Sequence, residues 1–110
     1  MTEAGRKYLS DILMAIELIE EFIQDTTAFP AYEADLKTQS AVERQLGIIG
    51  EALNKFHKVE PAIRIENDRQ IVAFRNRLIH AYDSIDNAIV WVILKKHLPN
   101  LKSEVVNIEK

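Results

Sequence analysis

Apolar residues recur along this chain with the period of an amphipathic helix, and the whole chain reads as helical. The first stripe predicts a helix from about Glu3 to Gln24; its members are Leu9, Ile12, Leu13, Ile16, Ile19, Glu20 and Ile23. The second predicts a helix from about Ala34 to His57; its core face holds Val42, Leu46, Ile49, Leu53 and Phe56. Between them, Thr27 is a candidate N-cap for a turn that contains Pro30.

A third helix is predicted after a connection over residues 61–66. Asn67 stands in the N-cap position, and Gln70 follows three residues later in the register of a capping box. The apolar pattern continues to Tyr82 or Asp83, where we expect the helix to end.

Ser84 is the predicted cap of the next helix, with Asp86 in its first turn. This helix should run through Trp91 to Leu98, because Pro99 lacks a backbone N–H and breaks or kinks a helix. A last helical segment is expected from about Leu101 to Ile108.

Short connections between long helices favour antiparallel neighbours, so the pattern predicts an all-α, up-and-down bundle of four to five helices. The 110 residues form a single domain over 1–110, small enough that oligomerisation is expected. Gly47 and Gly50 lie inside the second helix, where glycine costs up to about 1 kcal/mol relative to alanine. We interpret them as a close helix–helix contact.

The composition bears on the cellular location of the protein and on the partners it can bind. There is no cysteine, and the longest apolar run, residues 88–94, is far shorter than the roughly 20 residues that span a bilayer. A cytoplasmic location is therefore expected. The net charge of −3 argues against nucleic-acid binding over the whole surface but allows local basic sites. Two basic clusters are present: Arg69, Arg75 and Arg77, and Lys95, Lys96 and His97.

One arginine interrupts an apolar helix face. Arg75 falls in the middle of an arc formed by Ile71, Val72, Phe74, Leu78, Ile79 and Tyr82. A guanidinium in that position is costly unless a partner or a ligand satisfies it. A core carboxylate is one solution; the candidates are Glu17, Glu20 and Glu51. A bound phosphate is the other.

Near Arg75 lie residues suited to phosphodiester chemistry. His80 is close to the predicted helix end, Asn76 faces His80 at a spacing of four, and Tyr82 shares the Arg75 stripe. His80 could instead be an ordinary helix-terminal histidine, and Tyr82 an ordinary core aromatic. We interpret His57 and His97 as surface residues, and no set of residues has convincing metal-ligand spacing.

The segment Arg75-Asn76-Arg77-Leu78-Ile79-His80-Ala81-Tyr82 resembles the R-x4-H-x-Y signature of HepT, the HEPN toxin of the MNT-HEPN toxin–antitoxin systems. Residues 41–44 and 48–52 are similar to the motif of the family's second helix, and residues 90–91 and 98–101 fit its C-terminal end. In one departure, family members often carry a tryptophan shortly after the proline of the third connection, and none follows Pro61 here.

The resemblance implies a metal-independent endoribonuclease without a cofactor. Arg75 and His80 would be catalytic, and Asn76 and Arg77 would support RNA binding. The protein would be a homodimer whose partner is an MNT-type nucleotidyltransferase antitoxin that AMPylates Tyr82. Two alternatives remain open: a non-catalytic HEPN module that binds nucleotide or RNA, and a dimeric scaffold for a partner nucleotidyltransferase.

Overall fold

A computed structural model describes residues 1–110 and contains helices and connecting turns only. The helices are α1 (Glu3–Phe22), α2 (Phe29–Glu33), α3 (Leu36–Val59), α4 (Arg69–His80), α5 (Asn87–Val92) and α6 (Leu98–Glu109). A 3₁₀ turn (Tyr82–Ser84) precedes α5, and a π-helical turn (Ile93–His97) joins α5 to α6. The predicted all-α class is confirmed.

The long helices run antiparallel. The backbone N–H of Thr2, which precedes α1, donates to the Glu60 carboxylate at 2.7 Å, so the start of α1 lies beside the end of α3. His57 near the end of α3 contacts Asp68 at the start of α4. Lys102 of α6 pairs with Glu20 of α1 at 2.8 Å. These contacts confirm the up-and-down arrangement.

The two predicted stripes form the centre of the core. The fully buried side chains include Leu9, Ile12, Ile16, Ile19, Val42, Leu46, Ile49, Leu53 and Phe56. Ile71 of α4 and Leu101 and Val105 of α6 complete this core. No helix of this structure combines the length and the apolar content needed to cross a membrane.

Three predicted helix caps are wrong, the first two of them at the starts of α4 and α2. The capping-box prediction for Asn67 fails because this residue instead donates its backbone N–H and its amide to Glu104, 37 residues away, at 3.0 and 2.9 Å. Helix α4 therefore begins later, at Arg69, with Asp68 in the N-cap position. The N-cap of α2 is Ala28, without a side-chain bond, and not Thr27.

The end of the chain also differs from the prediction. Asp86, not Ser84, caps α5 by accepting the Ala88 N–H at 2.8 Å. The expected break at Pro99 is absent, because the helix continues through the π-helical turn, in which the Leu98 N–H bonds the Ile93 carbonyl. Proline carries no N–H and crowds the preceding turn, and the wider π turn changes the hydrogen-bond register just before it.

Candidate functional site

The site expected from the sequence lies where α3 and α4 approach each other most closely. A Cβ built on Gly50 would clash with the Cβ of Arg75 and would lie 2.8 Å from its Cγ. A Cβ on Gly47 would lie 3.5 Å from a methyl group of Leu78, an ordinary contact. The prediction of a close helix–helix contact at these glycines is confirmed, and Gly50 is the position that admits Arg75.

Arg75 has a carboxylate partner. Its Nη2 donates to Glu51 of α3, and its Nη1 donates to Oδ1 of Asn76 at 3.3 Å. The hydrogen bond from Arg75 and the charge of its guanidinium lower the pKa of Glu51 below its ordinary value. Of the three carboxylates considered from the sequence, Glu51 is the partner, whereas Glu20 pairs with Lys102.

The Arg75 guanidinium is nevertheless not sealed in the core. Its side chain remains 24% exposed, and that of Glu51 46% exposed. The apolar arc around it is divided: Ile71 and Phe74 are buried in the core, whereas Ile79 is 55% exposed. Arg75 thus lies at the border between the core and solvent, where a bound anion could reach the guanidinium.

The other expected site residues are exposed at the end of α4. His80 is the last residue of this helix, which ends two residues earlier than the first predicted limit, and Asn76 and Arg77 are exposed as well. Tyr82 lies in the 3₁₀ turn and is 67% exposed, so it is not a core aromatic. No hydrogen bond joins His80 to Arg75, consistent with the angular separation of residues five apart on a helix.

His57 lies at the surface, as expected from the sequence, with 37% of its side chain exposed. Its Nε2 also lies 2.6 Å from Oδ2 of Asp68, a contact that was not predicted. The pair lines a cavity of about 670 Å³ together with Asn54, Arg64, Arg69 and Asn76. No local sequence pattern indicates this pair, because His57 belongs to α3 and Asp68 is the N-cap of α4. His97, in the π-helical turn, is half-buried.

A second cavity, of about 580 Å³, opens where α1, α3 and the end of α4 meet. We call it the Glu43 cavity; its lining includes Lys7, Tyr8, Glu43, Arg44, Glu51 and Tyr82. Glu51 lines this cavity and also binds Arg75, and Tyr82 stands at its edge. The cavity could not be predicted from the sequence, because Tyr8 and Glu43 come together only when α1 packs on α3.

No group of three or more His, Cys, Asp or Glu side chains in this structure is arranged to hold a metal ion. The chemistry available here is anion binding by a guanidinium and proton transfer by an imidazole.

Comparison with known proteins assigns the class. The family model described as "Ribonuclease HepT-like" matches residues 12–108, which includes every residue of the R-x4-H-x-Y segment. The chain belongs to the HepT-like ribonuclease family, as its motifs suggested. Ribonuclease activity is thereby supported at the level of the family.

Several relatives are similar over nearly their whole length. A protein of Thermococcus cleftensis named "Probable ribonuclease HepT" is 40% identical over 100% of both chains. A protein of Methanocaldococcus jannaschii named as a "Putative RNase" is 34% identical over 96% of this chain and 87% of its own. One of Caldanaerobacter subterraneus, also named as a "Putative RNase", is 30% identical over 94% and 92%. No solved structure matches the chain at a comparable level.

Proposed function

We propose that this protein is the toxin of a toxin–antitoxin system and cleaves RNA as a metal-independent endoribonuclease. The observation that carries the proposal is the environment of Arg75: a guanidinium held by Glu51 at the contact of α3 and α4, partly open to solvent, in a chain of the HepT-like family. The reaction is the attack of an RNA 2′-hydroxyl on the adjacent phosphodiester.

Arg75 stabilises the charge that develops on the phosphorus-bound oxygens. A guanidinium has five N–H donors, and those not engaged by Glu51 and Asn76 are free for a phosphate oxygen. Because Glu51 holds the side chain before RNA binds, little reorganisation accompanies the reaction. Glu51 is thus a positioning residue for Arg75.

His80 transfers the protons. The neutral imidazole takes the proton of the 2′-hydroxyl, the 2′-oxygen bonds to phosphorus, and the bond to the 5′-oxygen breaks. The imidazolium then gives this proton to the departing 5′-oxygen, so His80 is regenerated and the products are a 2′,3′-cyclic phosphate and a 5′-hydroxyl. Asn76 accepts a hydrogen bond from Arg75 and orients that side chain.

A homodimer would complete the RNA-binding surface. Ile79 is 55% exposed and Tyr82 is 67% exposed, on either side of His80 in the chain, and a second copy that covers these two side chains would remove their apolar surface from water. Two sites near such an interface would bring Arg77 from both chains to one RNA cleft, and the mild negative charge of the whole chain would then not oppose binding.

The antitoxin would be an MNT-type nucleotidyltransferase that AMPylates Tyr82. In that step the phenolic oxygen bonds to the α-phosphorus of ATP, pyrophosphate leaves, and the hydroxyl proton passes to a base. The exposure of Tyr82 in the 3₁₀ turn makes its hydroxyl accessible to another protein. An anionic nucleotide attached there would compete with RNA for the cationic site.

The nuclease proposal is tested with RNA in EDTA, comparing the natural protein with Arg75→Ala, His80→Ala and the control His97→Ala. Loss of His80 should lower the cleavage rate roughly 10²- to 10⁴-fold and leave RNA binding largely intact. Loss of Arg75 should weaken both binding and cleavage, and the control should retain activity.

The products and the variants together decide between the candidate functions. Cleavage abolished by EDTA, or products with a 5′-phosphate, would contradict the mechanism. RNA binding without cleavage would favour the non-catalytic HEPN module. Neither binding nor cleavage would favour a dimeric scaffold for the nucleotidyltransferase.

A further inference from the structure

The Glu43 cavity has the composition of a site for one unstacked nucleobase. Its volume is about 580 Å³, its lining includes two tyrosines, Tyr8 and Tyr82, and most of its lining residues are polar. Single-stranded RNA is recognised by stacking exposed bases on aromatic rings and by hydrogen bonds to their edges. Both kinds of group are present on the walls.

Glu43 is a carboxylate without a partner. Burial alone raises its pKa, and neither a hydrogen bond nor a neighbouring charge offsets the cost of that burial. The adjacent Tyr32 is fully buried, and its hydroxyl has no hydrogen-bond partner. Burial, followed by the charge of Glu43, raises the pKa of Tyr32. Tyr32 does not line the cavity, whereas Glu43 does, so the Glu43 carboxylate is the group on the wall that can accept hydrogen bonds from a ligand.

Cations at the cavity suit the backbone of a nucleotide. Lys7 lies over the Tyr8 ring, 5.6 Å from its centroid, and pairs with Asp11 at 2.9 Å. Arg44, next to Glu43, takes part in none of the chain's ion pairs. A phosphate that follows the bound base could therefore pair with Arg44.

We propose that the Glu43 cavity is a guanine-selective base subsite, in which the Glu43 carboxylate accepts the two adjacent donors of a guanine edge and Tyr8 and Tyr82 supply stacking surface. This inference relies on the proposed ribonuclease function only for the choice of RNA as the ligand. It assigns to the protein a sequence preference at one nucleotide near the cleaved bond.

Guanine is selected by the number and position of its donors. Its Watson–Crick edge presents N1–H and the N2 amino group side by side, which matches the two oxygens of an ionised carboxylate. Adenine and cytosine present one amino group beside a ring-nitrogen acceptor, and uracil presents one N–H between two carbonyls. Each of these places an acceptor against Glu43, which is unfavourable in a partly desolvated site.

The cavity is adjacent to the proposed reaction centre. Glu51 contributes to its wall and binds the Arg75 guanidinium, and Leu78 and Tyr82 extend the wall along the C-terminal end of α4. A base in the cavity and its phosphate at Arg75 therefore require no long linker. The base subsite and the phosphate site share Glu51 as their common boundary.

The test measures binding to RNA that cannot be cut. Uridine hexamers with 2′-O-methyl groups throughout carry a single guanosine, inosine or adenosine, and their affinity for the full chain is measured by fluorescence anisotropy. Inosine lacks only the N2 amino group. We expect guanosine to bind roughly 10- to 150-fold more tightly than inosine, the range for the loss of one hydrogen bond to a charged group.

Variants identify the carboxylate. Glu43→Gln should abolish the difference between guanosine and inosine, and Glu21→Gln, an exposed glutamate near the other end of α1, should preserve it. Tyr8→Ala should weaken all three hexamers, whereas Tyr8→Phe should bind them normally. Circular dichroism confirms that each variant is folded; if Glu43→Gln does not fold, Glu43→Asp must reduce the selectivity instead.

Equal affinity of the natural protein for guanosine and inosine would overturn the inference, as would selectivity that persists in Glu43→Gln. Because the hexamers lack a free 2′-hydroxyl, these outcomes do not depend on catalysis. Cleavage of natural RNA without a guanine preference would leave the nuclease proposal intact and refute the subsite. Guanine-selective binding without any cleavage would support the subsite and refute the nuclease proposal.

Discussion

Replacing Gly50 with alanine tests whether the contact of α3 and α4 is set by the absence of one side chain. The new Cβ would overlap the Cβ of Arg75, lie 2.8 Å from its Cγ and lie 3.5 Å from the Ile71 carbonyl oxygen. The two closest atoms belong to the root of the Arg75 side chain, which cannot rotate away. Helix α4 must therefore move, whereas a clash with the end of a flexible side chain could be relieved locally.

The size of the effect follows from two opposing contributions. Overpacking of this kind costs about 1–3 kcal/mol. Alanine is favoured over glycine inside a helix by about 1 kcal/mol, so Gly50→Ala should lower the free energy of unfolding by about 0–2 kcal/mol. Gly47→Ala, with its Cβ 3.5 Å from a Leu78 methyl group, should instead raise it by about 1 kcal/mol.

Both variants replace glycine with alanine inside α3, so the gain in helix propensity is the same in each. The difference between their free energies of unfolding is therefore the cost of the clash with Arg75. Denaturant unfolding at one fixed protein concentration should show Gly50→Ala less stable than Gly47→Ala by about 1–3 kcal/mol. Displacement of Arg75 by even about 1 Å should also lower RNA cleavage, by up to about 10²-fold. Equal stability of the two variants would refute the assignment of the close approach to Gly50.

Three further predictions concern the groups around the site. Glu51→Gln should be less stable than the natural protein at pH 7, and this difference should shrink in urea titrations as the pH is lowered below 4.5: because Arg75 lowers the pKa of Glu51, the stabilisation is complete above the ordinary value of 4.5 and is lost as the pH falls through the lowered one. A difference that is the same at pH 7 and at pH 3 would contradict this. Incubation with the antitoxin and ATP should add AMP to the natural protein and not to Tyr82→Phe, as measured by intact mass; equal adducts on both would refute the assignment of Tyr82. Light scattering at micromolar concentration should report a dimer, in which the exposed Ile79 is covered, and a monomer alone would count against it.

The helical core was predictable because its signal is periodic and local. Most residues of the stripes on α1 and α3 are buried as expected, whereas Glu20 is exposed, and the predicted limits of these helices are within two residues of those observed. The error at Asn67 occurs because a distant residue competes with a local motif. Glu104 binds Asn67 and removes it from its expected capping role, and no pattern near Asn67 could indicate that contact.

The candidate site was predictable only in part, for a related reason. The anomaly of Arg75 on an apolar face is visible in the sequence, because helical periodicity places it there. Its partner is not visible, because choosing Glu51 among three carboxylates requires the register of α3 against α4, which Gly50 determines. The pair of His57 and Asp68 and the Glu43 cavity likewise depend on which helices are neighbours.

The exposure of the Arg75–Glu51 pair determines how variants of Arg75 should be interpreted. Removing one partner of a deeply buried pair leaves an uncompensated charge and destabilises the fold strongly. Glu51 is 46% exposed, so water can solvate its carboxylate when Arg75 is absent, and the fold should survive. Arg75→Lys separates the charge of the side chain from its geometry. Lysine keeps the charge but lacks the planar guanidinium that can bind Glu51 and a phosphate at the same time. A folded Arg75→Lys protein with poor cleavage would therefore indicate that the geometry of the guanidinium, and not its charge alone, is what the reaction uses.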